Sequence, residues 1–162
     1  MNAQRYFKTK VILSTAVAVL AIPFATVAQD NFRAIPDPLK LQWADTGPPF
    51  PKTQITVVDG DPSNAGPFVM RFRCPDDYKI APHTHPTTEV VTVLEGTFHA
   101  GLGDTFDAST LTPVRRGGFF VMPGGTSHFA ICKGPMTVIE MHATGPWDTK
   151  MLKDADSALQ DR

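Results

Sequence analysis

Hydrophobic and polar residues alternate along several short segments of the chain, which is the pattern of β-strands with one buried face. Residues 68–73 show it most clearly, because Phe68, Met70 and Phe72 would share one face of a strand. The segments that the pattern predicts as strands are 54–58, 68–73, 89–94, 97–102, 119–122, 129–132 and 137–142. A weak helical signal is confined to 154–160, so the sequence predicts an all-β fold.

Glycine and proline mark the predicted turns between these strands. Gly96 follows the β-rich run 89–94, so we expect a turn there, with 97–102 running back as the second arm of a hairpin. The run Pro-Gly-Gly at 123–125 predicts another turn. Glycine and proline together make up 27 of the 162 residues, which favours a turn-rich β-protein over a helical one.

The length of 162 residues fits one domain, and the composition changes along it. Residues 29–67 contain many prolines and are predicted to be an irregular N-terminal lead-in. The predicted β-domain covers 68–146, and 147–162 is predicted to be a polar C-terminal tail.

The first 28 residues have the composition of a secretory signal peptide. Arg5, Lys8 and Lys10 precede the apolar run 11–22, and small residues at 25–28 predict cleavage after Ala28. The alternative is an uncleaved membrane anchor, for which the run is short and is interrupted by a proline. We therefore expect an exported protein, periplasmic or secreted, with no membrane attachment after cleavage.

Removal of 1–28 would change the charge of the chain. That segment holds three of the 15 Lys and Arg residues and none of the 16 Asp and Glu residues, so the remainder would carry a formal charge of −4. An acidic chain is a poor match for nucleic acid or an anionic membrane surface.

In an oxidising compartment Cys74 and Cys132 could form a disulfide. The sequence leaves this open, because Cys132 could equally face the core as a small apolar residue.

The candidate chemistry lies in three histidines and one glutamate in two short blocks. His83, His85 and Glu89 are separated by one and three residues, and residues two apart in a strand point the same way. His128 follows the turn predicted at 123–125 and begins an apolar strand. Three imidazoles and a carboxylate suit a divalent first-row metal and leave coordination positions open. We expect one mononuclear site, with each imidazole held by a partner on its other ring nitrogen.

The same blocks resemble the two motifs of the cupin superfamily. The first motif, H-x-H-x3-E-x6-G, is complete over 83–96, although Asp77 stands where the motif usually begins with glycine. The second, G-x5-P-x-G-x2-H, is complete over 117–128, although Cys132 replaces its usual final asparagine. The resemblance implies a small exported single-domain cupin of the cupin-2-like kind, with a double-stranded β-helix or jelly-roll barrel. It implies the same four residues as metal ligands.

Cupins include dioxygenases, lyases and other enzymes as well as non-enzymatic sensors, so the resemblance leaves the function open. We interpret the chain as a small metalloenzyme, dioxygenase-like or lyase-like, that acts on a small oxygenated organic molecule. The alternatives are a non-catalytic metal-dependent binding or sensor module, and a module in which the metal is only structural. The ion would be zinc, manganese, iron, copper or nickel. After export we expect zinc or copper in the isolated protein, while manganese, iron or nickel could be the working ion.

Residues outside the motifs could add to the site. His142 is the candidate general acid or base and His99 a weaker one, although the position of each outside the motifs favours an exposed or supporting role. Arg71 and Arg73 are expected to face solvent; the alternative is that one of them reaches a pocket and holds a carboxylate. Compact single-domain cupins often form dimers, so the resemblance also implies a homodimer.

Overall fold

The regular structure of this protein is almost entirely β, as the sequence predicts. The structure is a computed structural model that describes residue 34 and residues 37–152. Its strands are β1 (Ala44–Asp45), β2 (Gln54–Asp59), β3 (Gly66–Pro75), β4 (Lys79–Thr84), β5 (Glu89–Leu102), β6 (Thr112–Arg115), β7 (Phe119–Met122), β8 (His128–Gly145) and β9 (Lys150–Met151). Two three-residue 3-10 helices, Pro38–Lys40 and Ala108–Thr110, complete the described elements.

Some predicted segments fall outside this range. The signal segment 1–28 and the weak helical signal at 154–160 lie outside the described residues. Within the described part, none of the helices is long and apolar enough to span a membrane.

Two long strands, β5 and β8, organise the sheet. They pair antiparallel over nearly their whole length, from Val90 opposite His142 to Leu102 opposite His128. The other edge of β8 is divided, because its second half pairs with β3 and its first half pairs with β4. Likewise β5 pairs with β7 at its start and with β6 further along. The sheet therefore curls into two faces that share the same two strands, which is the arrangement of a double-stranded β-helix.

The core lies between these two faces. Phe68, Met70 and Phe72 are buried along one face of β3, as their alternation predicts. The other strands contribute buried side chains that include Ile80, Val91, Val93, Phe98, Ala130, Ile139 and Met141. Burying an aliphatic or aromatic side chain of this size is worth about 1.5–3 kcal/mol, so this cluster is the main stabilising feature of the barrel.

The prediction of a hairpin turn at Gly96 is wrong. The structure shows β5 as one continuous strand of 14 residues through Gly96. Its pairing with β8 shifts register between Val93 and Glu95 and again between Glu95 and Thr97. Gly96 has φ +69°, so the glycine makes a bulge that bends the strand without reversing it.

The segments 129–132 and 137–142 are likewise not separate strands. Both belong to the 18-residue β8, which passes through Gly134 and Pro135. Gly134 has φ +113° and lies opposite the irregular stretch of β5, so the two long strands bend at the same level. The sequence predicts two separate strands here because glycine and proline, which commonly mark turns, lie at a bend within one continuous strand.

Cys74 and Cys132 form a disulfide, and both are fully buried. Their Cα atoms lie 6.3 Å apart, within the normal range for the bond. The bridge joins the end of β3 to the first half of β8, and its two cysteines are 58 residues apart in the sequence. In the chain-entropy description, a disulfide that closes a loop of this length stabilises the folded state by about 4 kcal/mol. The sequence left this pairing open.

Candidate metal centre

Three histidines converge at one end of the barrel. His83 on β4 is the direct register partner of His128, the first residue of β8. His85 lies just beyond the end of β4, where the strand stops before Pro86. One ligand atom from each of the three imidazoles lies within 4.8 Å of the others. The H-x-H spacing and the turn before His128 thus bring the three rings together.

Each imidazole is oriented by a backbone carbonyl through its Nδ1 atom. The Nδ1 atoms lie 2.7 Å from the carbonyl oxygen of Ala81 for His83, 2.9 Å from that of Asp148 for His85, and 2.9 Å from that of Thr126 for His128. A carbonyl oxygen can only accept a hydrogen bond, so Nδ1 carries the hydrogen and Nε2 carries the lone pair. This confirms the prediction that each imidazole is held by a partner on the ring nitrogen that does not face the metal.

Burial keeps these rings neutral. It lowers the pKa of His83 from 6.5 to about 3, with further lowering by the neighbouring imidazoles of His128 and His85. Burial also lowers the pKa of His85 to about 4 and lowers the pKa of His128 below its usual value. Neutral imidazole is the form that binds metal, so the three histidines are ready to act as ligands at pH 7.

Glu89 stands beside this cluster at the start of β5. Its Oε1 atom lies 3.6 Å from Nε2 of His128, and the residue is 3% exposed. Burial raises the pKa of Glu89 from 4.5 to about 7. Because His128 is neutral, this contact is not an ion pair, and it does not compensate the burial of the carboxylate.

The residues fit a metal ion. Glu89 Oε2 is buried without a hydrogen-bond partner, and an unsatisfied buried carboxylate oxygen is costly unless a cation satisfies it. Three borderline imidazole nitrogens together with one hard carboxylate oxygen make a donor set that suits a divalent transition metal. The three histidines could form a metal site by themselves, with Glu89 close enough to add a fourth donor from the opposite face of the barrel.

The segment that follows β8 contributes to the site, although the sequence places it in a polar tail. The indole of Trp147 stacks on His85, with ring centroids 4.0 Å apart and an interplanar angle of 23°. The carbonyl of Asp148 orients the same histidine, and β9 pairs with β4 at His83 and Thr84. A tryptophan at the start of an otherwise polar stretch was the only signal for this contact in the sequence.

His142 does not lie at this site. It is on the outer face of β8 with its side chain 51% exposed, and its Nε2 lies 3.1 Å from Glu140 Oε1. The prediction that it acts as a general acid or base is not supported by this position, because inward-facing residues of β8 are Ile139 and Met141. His99 alternates with the buried Phe98 and lies on the outer side of β5.

Arg71 is also on the outer face, where its Nε donates to Glu140 Oε2 at 2.8 Å. Arg73 donates to the side chain of Gln54 and lies over the ring of Trp43. Neither arginine lines the cavity at the histidines. The expectation that both face away from the core is therefore confirmed.

A cavity of about 430 Å³ opens beside the histidines. Its lining includes His83, Glu89 and His128, and it continues into the barrel between apolar side chains. Sites for small molecules commonly have volumes of roughly 300–1,000 Å³ and a mostly apolar lining. The site can therefore admit a small molecule next to the cluster.

Comparison with known proteins agrees with this architecture. No protein-family model matches the chain. Germin-like protein 8-9 of Oryza sativa subsp. japonica is 44% identical to the chain over 57 residues, which span 33% of the chain and 25% of that protein. The chain thus matches only about a quarter of the length of this relative.

Solved structures match over a larger share of the chain. The polyketide cyclase RemF from Streptomyces resistomycificus superposes with a TM-score of 0.65 at 17% identity, covering 80% of this chain and 94% of that one. An RmlC-like cupin from Ralstonia eutropha JMP134 gives 0.56 at 14% identity, over 72% of this chain and 71% of that one. A protein with a double-stranded β-helix domain from Klebsiella pneumoniae gives 0.56 at 19%, over 76% and 99%. The chain therefore has the cupin fold, a double-stranded β-helix with the three motif histidines at one end of its barrel.

Proposed function

We propose that this chain is an exported metal-binding cupin that acts as a small metalloenzyme on a small oxygenated organic molecule. The observation that carries the proposal is the orientation of three buried imidazoles, each with Nδ1 on a backbone carbonyl and Nε2 available to one ion. His83, His85, His128 and Glu89 would hold the ion. When bound, a divalent transition metal supplies Lewis-acid or redox chemistry at its open coordination positions.

The cavity supports a catalytic role over a purely structural one. A structural metal site is usually closed by protein ligands, whereas a catalytic site keeps a position open to water or substrate. Here a cavity reaches His83, Glu89 and His128, so a small molecule can approach the ion.

Export is proposed from two independent features. The first 28 residues read as a secretory signal, and the barrel carries a buried disulfide between Cys74 and Cys132. Disulfides persist in oxidising compartments and are rare in the cytosol. We propose a periplasmic or secreted protein on these grounds, with zinc, copper, manganese, iron or nickel as the candidate ions.

Turnover by metal-loaded protein tests the proposal. The purified protein is stripped of metal, reloaded with each candidate ion, and incubated with a panel of oxygenated aromatic and aliphatic compounds. Product formation by mass spectrometry and oxygen consumption are measured, with the His128→Ala variant as the control. We expect turnover that requires both a metal and His128. Binding of compounds by every metal-loaded form without any turnover would overturn the enzymatic proposal in favour of a metal-dependent binding module.

A further inference from the structure

The cavity beside the histidines has an aromatic wall. Six aromatic side chains line it: Phe50, Phe72, Phe98, Phe120, Phe129 and Trp147. They come from both faces of the barrel and from the segments that precede β2 and follow β8, so aromatic rings surround the space on several sides. Aromatic rings prefer offset-stacked or edge-to-face contacts with other rings, which favours a ring-containing ligand.

The charged groups of the lining are all acidic. Glu89 and Asp148 are its ionisable carboxyl groups, and no lysine or arginine lines the cavity within the described part of the chain. The nearest arginines along β3, Arg71 and Arg73, are held on the outer face by Glu140 and Gln54. Asp148 is exposed at the cavity's edge, where a carboxylate repels anions that approach.

We infer that the ligand of this cavity is an aromatic molecule with oxygen donors at one end and an uncharged ring at the other, and that molecules with a carboxylate or phosphate at the ring end, away from the metal, are disfavoured. This inference rests on the proposed function, because the oxygen donors would face the metal held by His83, His85 and His128. It narrows the substrate from oxygenated molecules in general to ring-containing molecules that carry no charge at the end away from the metal.

Desolvation disfavours a charged group at the apolar end of the cavity. A carboxylate or phosphate placed away from the metal would lose its water against phenylalanine and methionine side chains and find no cation or donor cluster in return. Burying an ionised group without a partner is much more costly than burying a neutral polar one. A neutral ring loses little on leaving water and gains the contacts of the aromatic wall.

A matched pair of ligands tests this inference. 2′-Hydroxy-5′-methylacetophenone and 3-acetyl-4-hydroxybenzoate carry the same hydroxy-ketone group, but at the far end one has a methyl group and the other a carboxylate. Their dissociation constants are measured by calorimetry at pH 7 with zinc-loaded and with metal-free protein. We expect the methyl compound to bind at least about tenfold more tightly than the acid, because only the acid buries an uncompensated charge. Equal or tighter binding of the acid would overturn the inference.

Charge reversal at the cavity's edge gives a second test in variants that should fold. Asp148 and Asp104 are both exposed, but only Asp148 lines the cavity. The Asp148→Lys variant should bind the acid several-fold more tightly, whereas Asp104→Lys, with the same change in net charge, should not. An equal gain in both variants, or a gain in neither, would contradict the assigned role of the lining charges.

These outcomes are separable from failure of the proposed function. If the protein takes up no metal or turns over no substrate, the enzymatic proposal fails, but the preference for the neutral ring is still measured in metal-free protein. If zinc is bound and the acid binds as well as the methyl compound, the substrate class is wrong while the metal site stands.

Discussion

At the scale of single residues, three backbone carbonyls decide what the histidines can do. Hydrogen bonds to the carbonyls of Ala81, Asp148 and Thr126 fix the tautomer of each ring, and burial keeps the rings neutral. The spacing of the histidines in the sequence predicted their convergence, since it follows from strand periodicity and turn position. The carbonyl of Asp148 and the ring of Trp147 could not be predicted, because their contacts depend on how the chain returns after β8.

The stack of Trp147 on His85 predicts an optical signal for metal binding. The chain has two tryptophans, and the Trp43→Phe variant leaves only Trp147. Copper(II) quenches indole fluorescence at short range, so one equivalent should quench this variant strongly. The Trp147→Phe variant keeps an aromatic ring on His85 but reports from Trp43, which lies under Arg73 away from the cavity. Equally strong quenching in both variants would contradict the assigned geometry.

The buried histidines also predict how the stability of the metal-free protein depends on pH. The folded pKa values of His83 and His85 are about 3 and about 4, below the ordinary 6.5. Below pH 6.5 the unfolded chain therefore binds protons that the folded protein does not. Stability should fall as pH falls, by about 1.4 kcal/mol per pH unit for each fully shifted histidine.

Glu89 acts in the opposite direction and provides the control. Its folded pKa of about 7 lies above the ordinary 4.5, so between these values the folded protein holds a proton that the unfolded chain releases. Its contribution makes the protein more stable as pH falls from 7 to 4.5. Urea unfolding of the metal-free protein between pH 5 and 8 should show a net loss toward low pH, and a steeper loss in the Glu89→Gln variant. A metal-free protein that is more stable at pH 5 than at pH 7 would show that the histidines are not buried in this way.

At the scale of elements, the bends in β5 and β8 build the barrel. Each long strand passes from one face of the barrel to the other, and the bend in β5 occurs at Gly96. Most strand positions followed from alternation, including 119–122 and the buried face of 68–73. The continuity of β5 and β8 did not, because a glycine with a positive φ serves equally in a turn and in a bulge. Which one forms depends on the neighbouring strand, which local sequence does not encode.

Replacement of Gly96 tests this account of the bend. A Cβ atom there would lie 2.6 Å from Thr137 Oγ1 and 2.9 Å from the carbonyl oxygen of Lys133, and the residue has φ +69°. Gly117 has φ +83° but open space around a Cβ, so it isolates the conformational strain. We expect Gly117→Ala to cost about 1 kcal/mol and Gly96→Ala roughly 2–4 kcal/mol in unfolding free energy. Equal losses in denaturant melts would mean that the close approach at Gly96 is unimportant.

At the scale of the whole molecule, the apolar interior and the outer surface suggest different roles. The interior holds the core and the cavity, while the outer side of β5 and β7 exposes apolar side chains. Phe119 is 67% exposed, Val121 53% and Val90 38%, and Val90 is the register partner of Val121. Among the described strands β7 pairs only with β5, so its other edge is unpaired. Exposed apolar edge strands are places where a second chain can pack.

We therefore predict a homodimer that packs through this strip of Val90, Phe119 and Val121. Light scattering at tens of micromolar protein should give the mass of two chains. The Val121→Lys variant should give a mass closer to that of one chain, because the lysine places a charge in the contact. Leu39→Lys is the matched control, since Leu39 is 93% exposed on the 3-10 helix Pro38–Lys40, outside the strip. A wild-type protein that is monomeric at these concentrations would contradict the prediction.

The most direct test of the account is the metal content of histidine variants. Wild-type protein, His85→Ala, His128→Ala and the outer-face control His99→Ala are purified, reloaded with zinc, dialysed and analysed by elemental mass spectrometry. One ion per chain is expected in the wild type and in His99→Ala, and less than about a tenth of that in the two site variants, since each loses a ligand of the cluster. Circular dichroism should show that all four proteins keep their β-structure, because the apolar core and the disulfide do not depend on the metal. One zinc ion per chain with unchanged affinity in His128→Ala would contradict the assignment of this cluster as the metal centre.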